Sequence, residues 1–224
     1  MGRAIGDSLP LAVALAVNPL PIIALVLLLN TARARTNGVV FVLGWLSALG
    51  VVGGIMLVLA DAAEANEGGS PAAWVSWTKL FLGLLLLVVA ARQFLRRRGE
   101  DDEHEPAWMQ RVETTTPSRS FGLAAALAGL NPKNLLLVAG GVSAIAETGI
   151  SGPQQALAYS VFVLVASIGV FVPLLIHFTM GDRAPAVLGR LRDWMSNNSS
   201  LIIALICLLI GVKLLGDSIG ALTG

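Results

Sequence analysis

Six apolar stretches, each about as long as a membrane-spanning helix, dominate this 224-residue sequence. A helix needs about 20 mostly apolar residues to cross the hydrocarbon core of a bilayer. Only 13% of the residues are charged, whereas a soluble domain carries about 25%. We therefore predict an all-α, polytopic membrane protein with six transmembrane helices. The stretches cover roughly residues 9–30, 39–60, 75–95, 121–146, 156–179 and 200–222.

The distribution of basic residues predicts how these helices are oriented. Cytoplasmic loops of membrane proteins carry an excess of Lys and Arg. Eleven of the 15 basic residues lie in the loops after the first, third and fifth stretches. We therefore expect a multi-pass protein of the bacterial plasma membrane with both termini outside the cytoplasm. We also expect the first stretch to be a retained helix, because no Ala-x-Ala cleavage site follows it. The eleven are Arg33, Arg35, Arg92, Arg96, Arg97, Arg98, Arg111, Arg119, Arg183, Arg190 and Arg192.

This orientation divides the chain into two halves of opposite topology. The first and fourth helices would cross the membrane in opposite directions, so residues 1–95 and 121–224 form a three-plus-three inverted repeat, as in many secondary transporters. Residues 96–120 form a cytoplasmic linker, which carries an acidic run with His104. The spacing of these acids matches no calcium-binding loop, so we predict no metal site and no cofactor.

An asparagine–proline pair interrupts the first stretch and, at a corresponding position, the fourth. Proline inside a helix removes a backbone donor and displaces the carbonyl four residues earlier. In lipid, the freed groups must be satisfied by protein or by a water-lined cavity. Matching breaks in two repeats point to the substrate site of a transporter, although two kinked and packed helices would give the same pattern. The predicted substrate-binding residues are Asn18, Pro19, Pro21, Asn131, Pro132, Lys133 and Asn134.

Lys133 is the strongest single candidate for a binding role. It lies about 18 Å into the fourth stretch at 1.5 Å per residue, close to the middle of a core about 30 Å thick. A lysine there costs roughly 2.5–3.5 kcal/mol on insertion scales. No Asp or Glu lies in a clean apolar core, so we expect a positive cavity that favours an anionic or zwitterionic group. The alternative is a lysine that pairs with another helix or extends to the interface.

Secondary candidates lie elsewhere in the second half. Lys213 has Asp217 four residues later and is explained by a local pair or an interfacial anchor, and His177 lies near one end of the fifth stretch. Residues 187–195 have the spacing of an amphipathic helix on the cytoplasmic surface. Hinge or gating roles are predicted for Pro173, Gly50 and Gly169.

The six stretches with Asn131-Pro132-Lys133 in the fourth resemble the LysE superfamily of small-molecule exporters. The forms Asn18-Pro19-Leu20-Pro21-Ile22 and Gly211-Val212-Lys213-Leu214-Leu215-Gly216 are most similar to its actinobacterial branch, the sulfolipid-addressing and glycopeptidolipid-addressing (Sap/GAP) proteins. The resemblance covers nearly the whole chain. It implies export of a small or lipid-linked molecule beside a lipid-synthesis system. Amino-acid exporters of the superfamily typically have Pro-Gly-Pro where this chain has Pro19-Leu20-Pro21, which argues against amino-acid export.

These observations together predict a secondary exporter of an anionic or zwitterionic, glycolipid-type molecule. Two alternatives stay open: an amino-acid or small-metabolite exporter, and a non-transporting accessory protein of a glycolipid export complex. An enzyme is not expected, because no nucleophile–base pair or metal set lies at one depth, and no ATP-binding motif is present. A single cysteine, Cys207, excludes an internal disulfide. The expected partners are membrane lipids, the substrate, and a second copy or a lipid-export protein, with no nucleic acid.

Overall fold

The computed structural model describes residues 1–67, 73–96 and 115–223, and this part of the chain is helical apart from short connections. A 3-10 turn at Gly181–Arg183 precedes the last helix. The all-α prediction is confirmed. The helices are α1 (Gly2–Ala16), α2 (Pro19–Leu28), α3 (Ala34–Glu67), α4 (Ala73–Arg96), α5 (Pro117–Gly129), α6 (Pro132–Ala146), α7 (Gly152–Ala166), α8 (Ile168–Met180) and α9 (Ala184–Thr223).

Two segments are by themselves long and apolar enough to cross a membrane, Ala34–Ala60 and Ile168–Lys213. Two further spans arise if each bent pair of helices counts as one, because α1 and α2 meet at 48° and α5 and α6 at 61°. Length and composition therefore support two to four spans, and the six-helix arrangement stays a prediction. Most of the predicted linker, including its acidic run and His104, lies outside the described residues. Within the described residues, no three His, Cys, Asp or Glu side chains converge on a metal site.

Both bends have the same local cause. Pro19 is the first residue of α2 and Pro132 is the first residue of α6, where the missing N–H costs nothing and the fixed φ suits a helix. The ring of a proline forces the preceding residue out of the helical region. Asn18 accordingly has φ −61° and ψ 117°, and Asn131 has φ −76° and ψ 116°. The two asparagine–proline pairs thus produce one backbone geometry twice.

The fifth predicted stretch is divided at a residue that the sequence did not single out. Ser167 separates α7 from α8, and its hydroxyl donates to the Val163 carbonyl over 2.7 Å. Such a back-bonded serine loosens or bends a helix locally. Pro173, the predicted hinge, lies inside α8 and is buried. The structure therefore places the interruption next to Gly169 rather than at the proline.

Residues 187–195, predicted as an amphipathic surface helix, belong to α9, which is 40 residues long, or about 60 Å at 1.5 Å per residue. Leu188 and Met195 are buried, and Trp194 is exposed on another side of the same helix. The amphipathic pattern is therefore present, but it forms the first part of a longer helix.

The directions of neighbouring helices follow from their contacts. The Asn37 side chain, near the start of α3, donates to the Thr115 carbonyl just before α5. Further along, Gly44 of α3 lies so close to Phe121 of α5 that an added Cβ would be 2.6 Å from the Phe121 carbonyl oxygen. Because both contacts advance together along the two chains, α3 and α5 run parallel.

Two other pairs of helices run antiparallel. Leu11 of α1 lies against Gly140 of α6, whereas Asn18, after the end of α1, contacts Asn134 at the start of α6. Likewise, Gly83 of α4 lies against Gly211 and Leu215 of α9, and Leu87 lies against Gly211. The two glycines face each other, since a Cβ on either would be 3.0 or 3.1 Å from the carbonyl oxygen of the other. This close approach is typical of helices that pack through small residues in membranes.

Candidate functional site

The two asparagine–proline breaks are joined by a buried hydrogen bond. The Asn18 Nδ2 atom donates to Asn134 Oδ1 over 3.0 Å, and the two residues are 3% and 0% exposed. The Asn134 Nδ2 atom in turn donates to the Leu127 carbonyl over 2.7 Å. One polar chain therefore links the end of α1 to both halves of the α5–α6 pair. Among these apolar helices, such a satisfied amide fixes the relative positions of the breaks.

The asparagine that precedes each proline has a different role in the two breaks. The Asn131 Oδ1 atom accepts a hydrogen bond from the Lys133 backbone N–H at 3.1 Å and so caps α6. The Asn18 side chain makes no such cap on α2, because its amide is directed across to Asn134. The Asn18 backbone N–H bonds the Leu15 carbonyl over 3.2 Å. Leu15 lies four residues before Pro19, so this is the carbonyl that the proline displaces. The first break thus supplies a donor to the second.

The prolines of the two breaks lie in different surroundings. Pro19 and Pro21 are buried, and they begin a helix, α2, that is almost entirely buried. Pro132 is exposed, and Leu130, two residues earlier, is 75% exposed. The first break is therefore enclosed by the rest of the protein, whereas the second reaches its periphery.

Lys133 carries the only buried ammonium group without a partner in the part of the chain that the structure describes. Its Nζ atom is inaccessible to solvent and has no hydrogen-bond partner among the described residues. The Cys207 thiol on α9 is close enough to interact with it electrostatically. Lys133 also lies in the first turn of α6, where the helix dipole creates a positive potential. Chemically, a positive charge at the start of a helix suits an anion.

Gly169 lies directly against the first break. A Cβ atom added at Gly169 would overlap the carbonyl oxygen of Ala16, the last residue of α1. The start of α8 can therefore reach the end of α1 only because residue 169 is a glycine. This close approach gives the predicted hinge residue a definite contact with the site.

Gly50, the other glycine for which a hinge or gating role was predicted, is placed differently. It is exposed within α3, and an added Cβ would meet nothing within 4 Å. Its neighbours Ala48 and Val52 instead flank Gly129, the last residue of α5, since a Cβ added at Gly129 would lie 3.7 and 3.4 Å from their side chains. The same region of α3 therefore approaches the second break, but Gly50 itself does not touch it.

The secondary candidates lie apart from the bridge between the breaks. His177 is near the end of α8, with its ring edge-on to Phe178 at 5.8 Å between centroids. Lys213 is partly buried on α9, and the side chain of its predicted partner Asp217 lies outside the described residues. The structure brings neither residue to the asparagine pair.

Two polar contacts between separate segments were missed by the sequence reasoning. Tyr159, the only tyrosine of the chain, donates from its hydroxyl to the Leu49 carbonyl over 2.7 Å. Its ring occupies the space beside Gly53, so it ties α7 to α3. The Asn37 amide, besides bonding Thr115, donates to the Thr31 hydroxyl over 3.2 Å. A lone tyrosine in one apolar stretch and a glycine pair in another were the available signals, but neither identifies its partner.

Comparison with known proteins gives one match. A family model described as SfLAP (Sap, sulfolipid-1-addressing protein) matches residues 9–220. No curated protein and no solved structure matches the chain. The matched range contains both breaks, Lys133 and Gly169, and it confirms the resemblance to the sulfolipid-addressing proteins. The wider relation to the LysE superfamily stays a prediction.

Proposed function

The chain belongs to the Sap, sulfolipid-1-addressing protein family, and from this membership we propose that it is a secondary exporter of an anionic or zwitterionic, lipid-linked molecule. In this proposal the headgroup of the substrate binds at the paired asparagine–proline breaks of a six-helix protein in the plasma membrane. The family name and the apolar helices support a membrane protein that acts in lipid export. The class of headgroup and the site are argued here from the residues.

The buried, unpartnered ammonium group of Lys133 is the observation that carries this proposal. Burying a charge without a counter-charge is costly, and lysines inside membrane proteins mark substrate or ion pathways as a rule. No described acidic side chain neutralises Lys133, and the first turn of α6 adds positive potential. A carboxylate, sulfate or phosphate of a substrate would pair with the ammonium group. In this proposal the hydrogen bond between Asn18 and Asn134 would hold the two breaks together around the headgroup.

The arrangement of the helices supports transport through an inverted repeat. The two breaks share one backbone geometry, and α1 and α5 each end two residues before the asparagine. In the predicted topology, the second and fourth stretches run in the same direction, and the first and fourth run oppositely. The parallel packing of α3 with α5 and the antiparallel packing of α1 with α6 agree with that topology. Alternating access would then change the contact between the two halves around a fixed site.

An accessory protein that binds a lipid headgroup without moving it is the second candidate. The Asn18–Asn134 hydrogen bond favours it, because a buried hydrogen bond between two amides is also what a rigid packing element provides. Such a protein would hold a headgroup at Lys133 for another component of a glycolipid export complex. Both candidates use the same site and differ in whether the purified chain moves lipid alone.

Lys133→Met tests the proposal, since methionine keeps the length of the side chain and removes the charge. The purified protein is reconstituted in vesicles with tail-labelled fluorescent phosphatidylglycerol or phosphatidylcholine, and transfer between leaflets is followed by chemical quenching of the outer label. We expect the native protein to accelerate transfer of the anionic lipid more than that of phosphatidylcholine. Lys133→Met should abolish this acceleration and keep or raise thermal stability in detergent, because an unpaired buried charge disappears.

The same substitution at Lys79, on a helix that contains neither break, is the matched control and should preserve transfer. Normal transfer by Lys133→Met would refute the binding role. Loss of both transfer and folding would identify Lys133 as half of a structural ion pair. Saturable binding of phosphatidylglycerol that requires Lys133, with no transfer even by the native protein, would establish the accessory role in place of export.

A further inference from the structure

We propose that the second asparagine–proline break is a lateral portal, where an anionic headgroup passes from the bilayer to Lys133 while its acyl chains stay in the lipid. The inference rests on the proposed function, since it assigns a route to the anion site described above. It concerns the short connection between α5 and α6, Leu130–Asn131, together with Pro132. These three residues are called the portal below.

The two breaks differ in exposure although their backbones match. At the portal, Leu130 is 75% exposed and Pro132 is also exposed. At the corresponding positions of the first break, Val17 is 39% exposed and Pro19 is buried. The portal is therefore the more exposed of the two breaks and the one more open to a molecule in the surrounding bilayer.

An uncovered break of this kind is unstable in a hydrocarbon environment. Irregular backbone at membrane depth is tolerated only where protein covers it or where it lines a polar cavity. Leu130 and Asn131 connect α5 and α6, two apolar helices that are long enough to cross a membrane only as a pair. Within the portal, the Leu130 N–H bonds the Ala126 carbonyl and the Asn131 carbonyl accepts a hydrogen bond from the Leu135 N–H. A polar headgroup would therefore add hydrogen bonds only to the remaining backbone groups of the portal.

The headgroup of an anionic amphiphile fits this position better than a second copy of the chain. Lys133 directly follows the portal in the chain, and its ammonium group is buried in the protein. A negative headgroup at the portal is therefore attracted inwards. The exposed Leu130 side chain offers an apolar contact to an acyl chain that stays outside. A two-fold contact between two copies, centred on the portal, would instead bring two Lys133 charges together.

Site-specific photocross-linking tests this route. Benzoylphenylalanine replaces Leu130 in the full-length protein, and in a matched control it replaces Leu209, which is 70% exposed on α9. Each protein is reconstituted in vesicles of mixed phosphatidylcholine and phosphatidylglycerol, and the cross-linked lipids are identified by mass spectrometry. We expect position 130 to capture phosphatidylglycerol severalfold above its share of the bilayer. Lys133→Met should remove this enrichment, while position 209 should report the bulk composition in both backgrounds.

Capture at the bulk ratio at position 130, or an enrichment that survives Lys133→Met, would overturn the portal. A cross-link from position 130 to a second protein chain would also overturn it and would identify an oligomer contact. If Lys133→Met abolishes lipid transfer while position 130 shows no enrichment, the anion site stands and the lateral route is wrong. If position 130 shows the enrichment and the native protein moves no lipid, the route stands and the exporter proposal is wrong.

Discussion

Asn134 uses both halves of its amide, and this makes it the residue on which the contact between the breaks depends. Replacing it with leucine, Asn134→Leu, keeps a similar volume but leaves the Asn18 Nδ2 atom and the Leu127 carbonyl without their partner. A buried polar group that loses its partner costs about 1–3 kcal/mol. We expect Asn134→Leu to lower the unfolding midpoint measured in detergent by circular dichroism. Adding Asn18→Leu should restore part of the loss, because neighbouring substitutions are not additive. A double variant whose loss equals the sum of the single losses would argue against a coupled bridge.

At the scale of single residues, the sequence predicted where the two helices are interrupted. It did not predict which side chains meet at the interruptions. The asparagine–proline pairs predict a helix break because proline restricts the backbone dihedral angles of its own residue and of the residue before it. Asn134 was recognised only as an amide near the second break. Its bond to Asn18 joins residues 116 positions apart, and such a pairing depends on how the helices pack. The isolation of the Lys133 ammonium group is likewise a property of its packed surroundings, which the depth of the residue alone does not reveal.

The contact between α8 and the end of α1 yields a prediction for the two glycines to which hinge or gating roles were assigned. Gly169→Ala would push α8 away from the Ala16 carbonyl, and inserting a methyl group into a packed contact typically costs about 1–3 kcal/mol. Gly50→Ala, the matched control, places its methyl group in open space within α3, where alanine is favoured over glycine by roughly 0.5–1 kcal/mol. We expect thermal unfolding in detergent to show a lower midpoint for Gly169→Ala and an equal or higher one for Gly50→Ala. Equal effects of the two substitutions would show that α8 can move away from α1 without cost.

The helices themselves were largely predictable, and the exceptions have local causes. Hydropathy located the long apolar runs, and the prolines located two of the breaks, because both signals act through neighbouring residues. The interruption at Ser167 was missed because a serine in an apolar run is compatible with an unbroken helix, and Pro173 was the stronger signal. The first part of α9 shows the amphipathic pattern that was predicted for residues 187–195. No stop signal separates it from the apolar part, so one helix contains both.

For the whole molecule, composition predicted the structural class, whereas it did not predict which helices pack against each other. A low charge content and repeated apolar runs suffice to indicate a membrane protein of the all-α class. They do not indicate that α4 packs on α9 through Gly83 and Gly211, because glycines in apolar helices offer many equivalent surfaces. The parallel and antiparallel pairings follow only from contacts between residues far apart in the chain. Those pairings nevertheless agree with the topology that the arginines predict, which leads to a test in cells.

Labelling of single cysteines in intact cells tests the predicted orientation of the molecule. With Cys207→Ala as the background, we introduce Glu147→Cys in the exposed connection between α6 and α7 and Ser118→Cys in the exposed first turn of α5. Since α5 and α6 would cross the membrane once as a bent pair, these positions should lie on opposite sides. The arginine distribution places residue 118 in the cytoplasm. An impermeant maleimide should therefore label residue 147 in intact cells and residue 118 only after the membrane is opened. The reverse pattern would invert the topology, and labelling of both positions in intact cells would mean that α5 and α6 re-enter the same side instead of crossing.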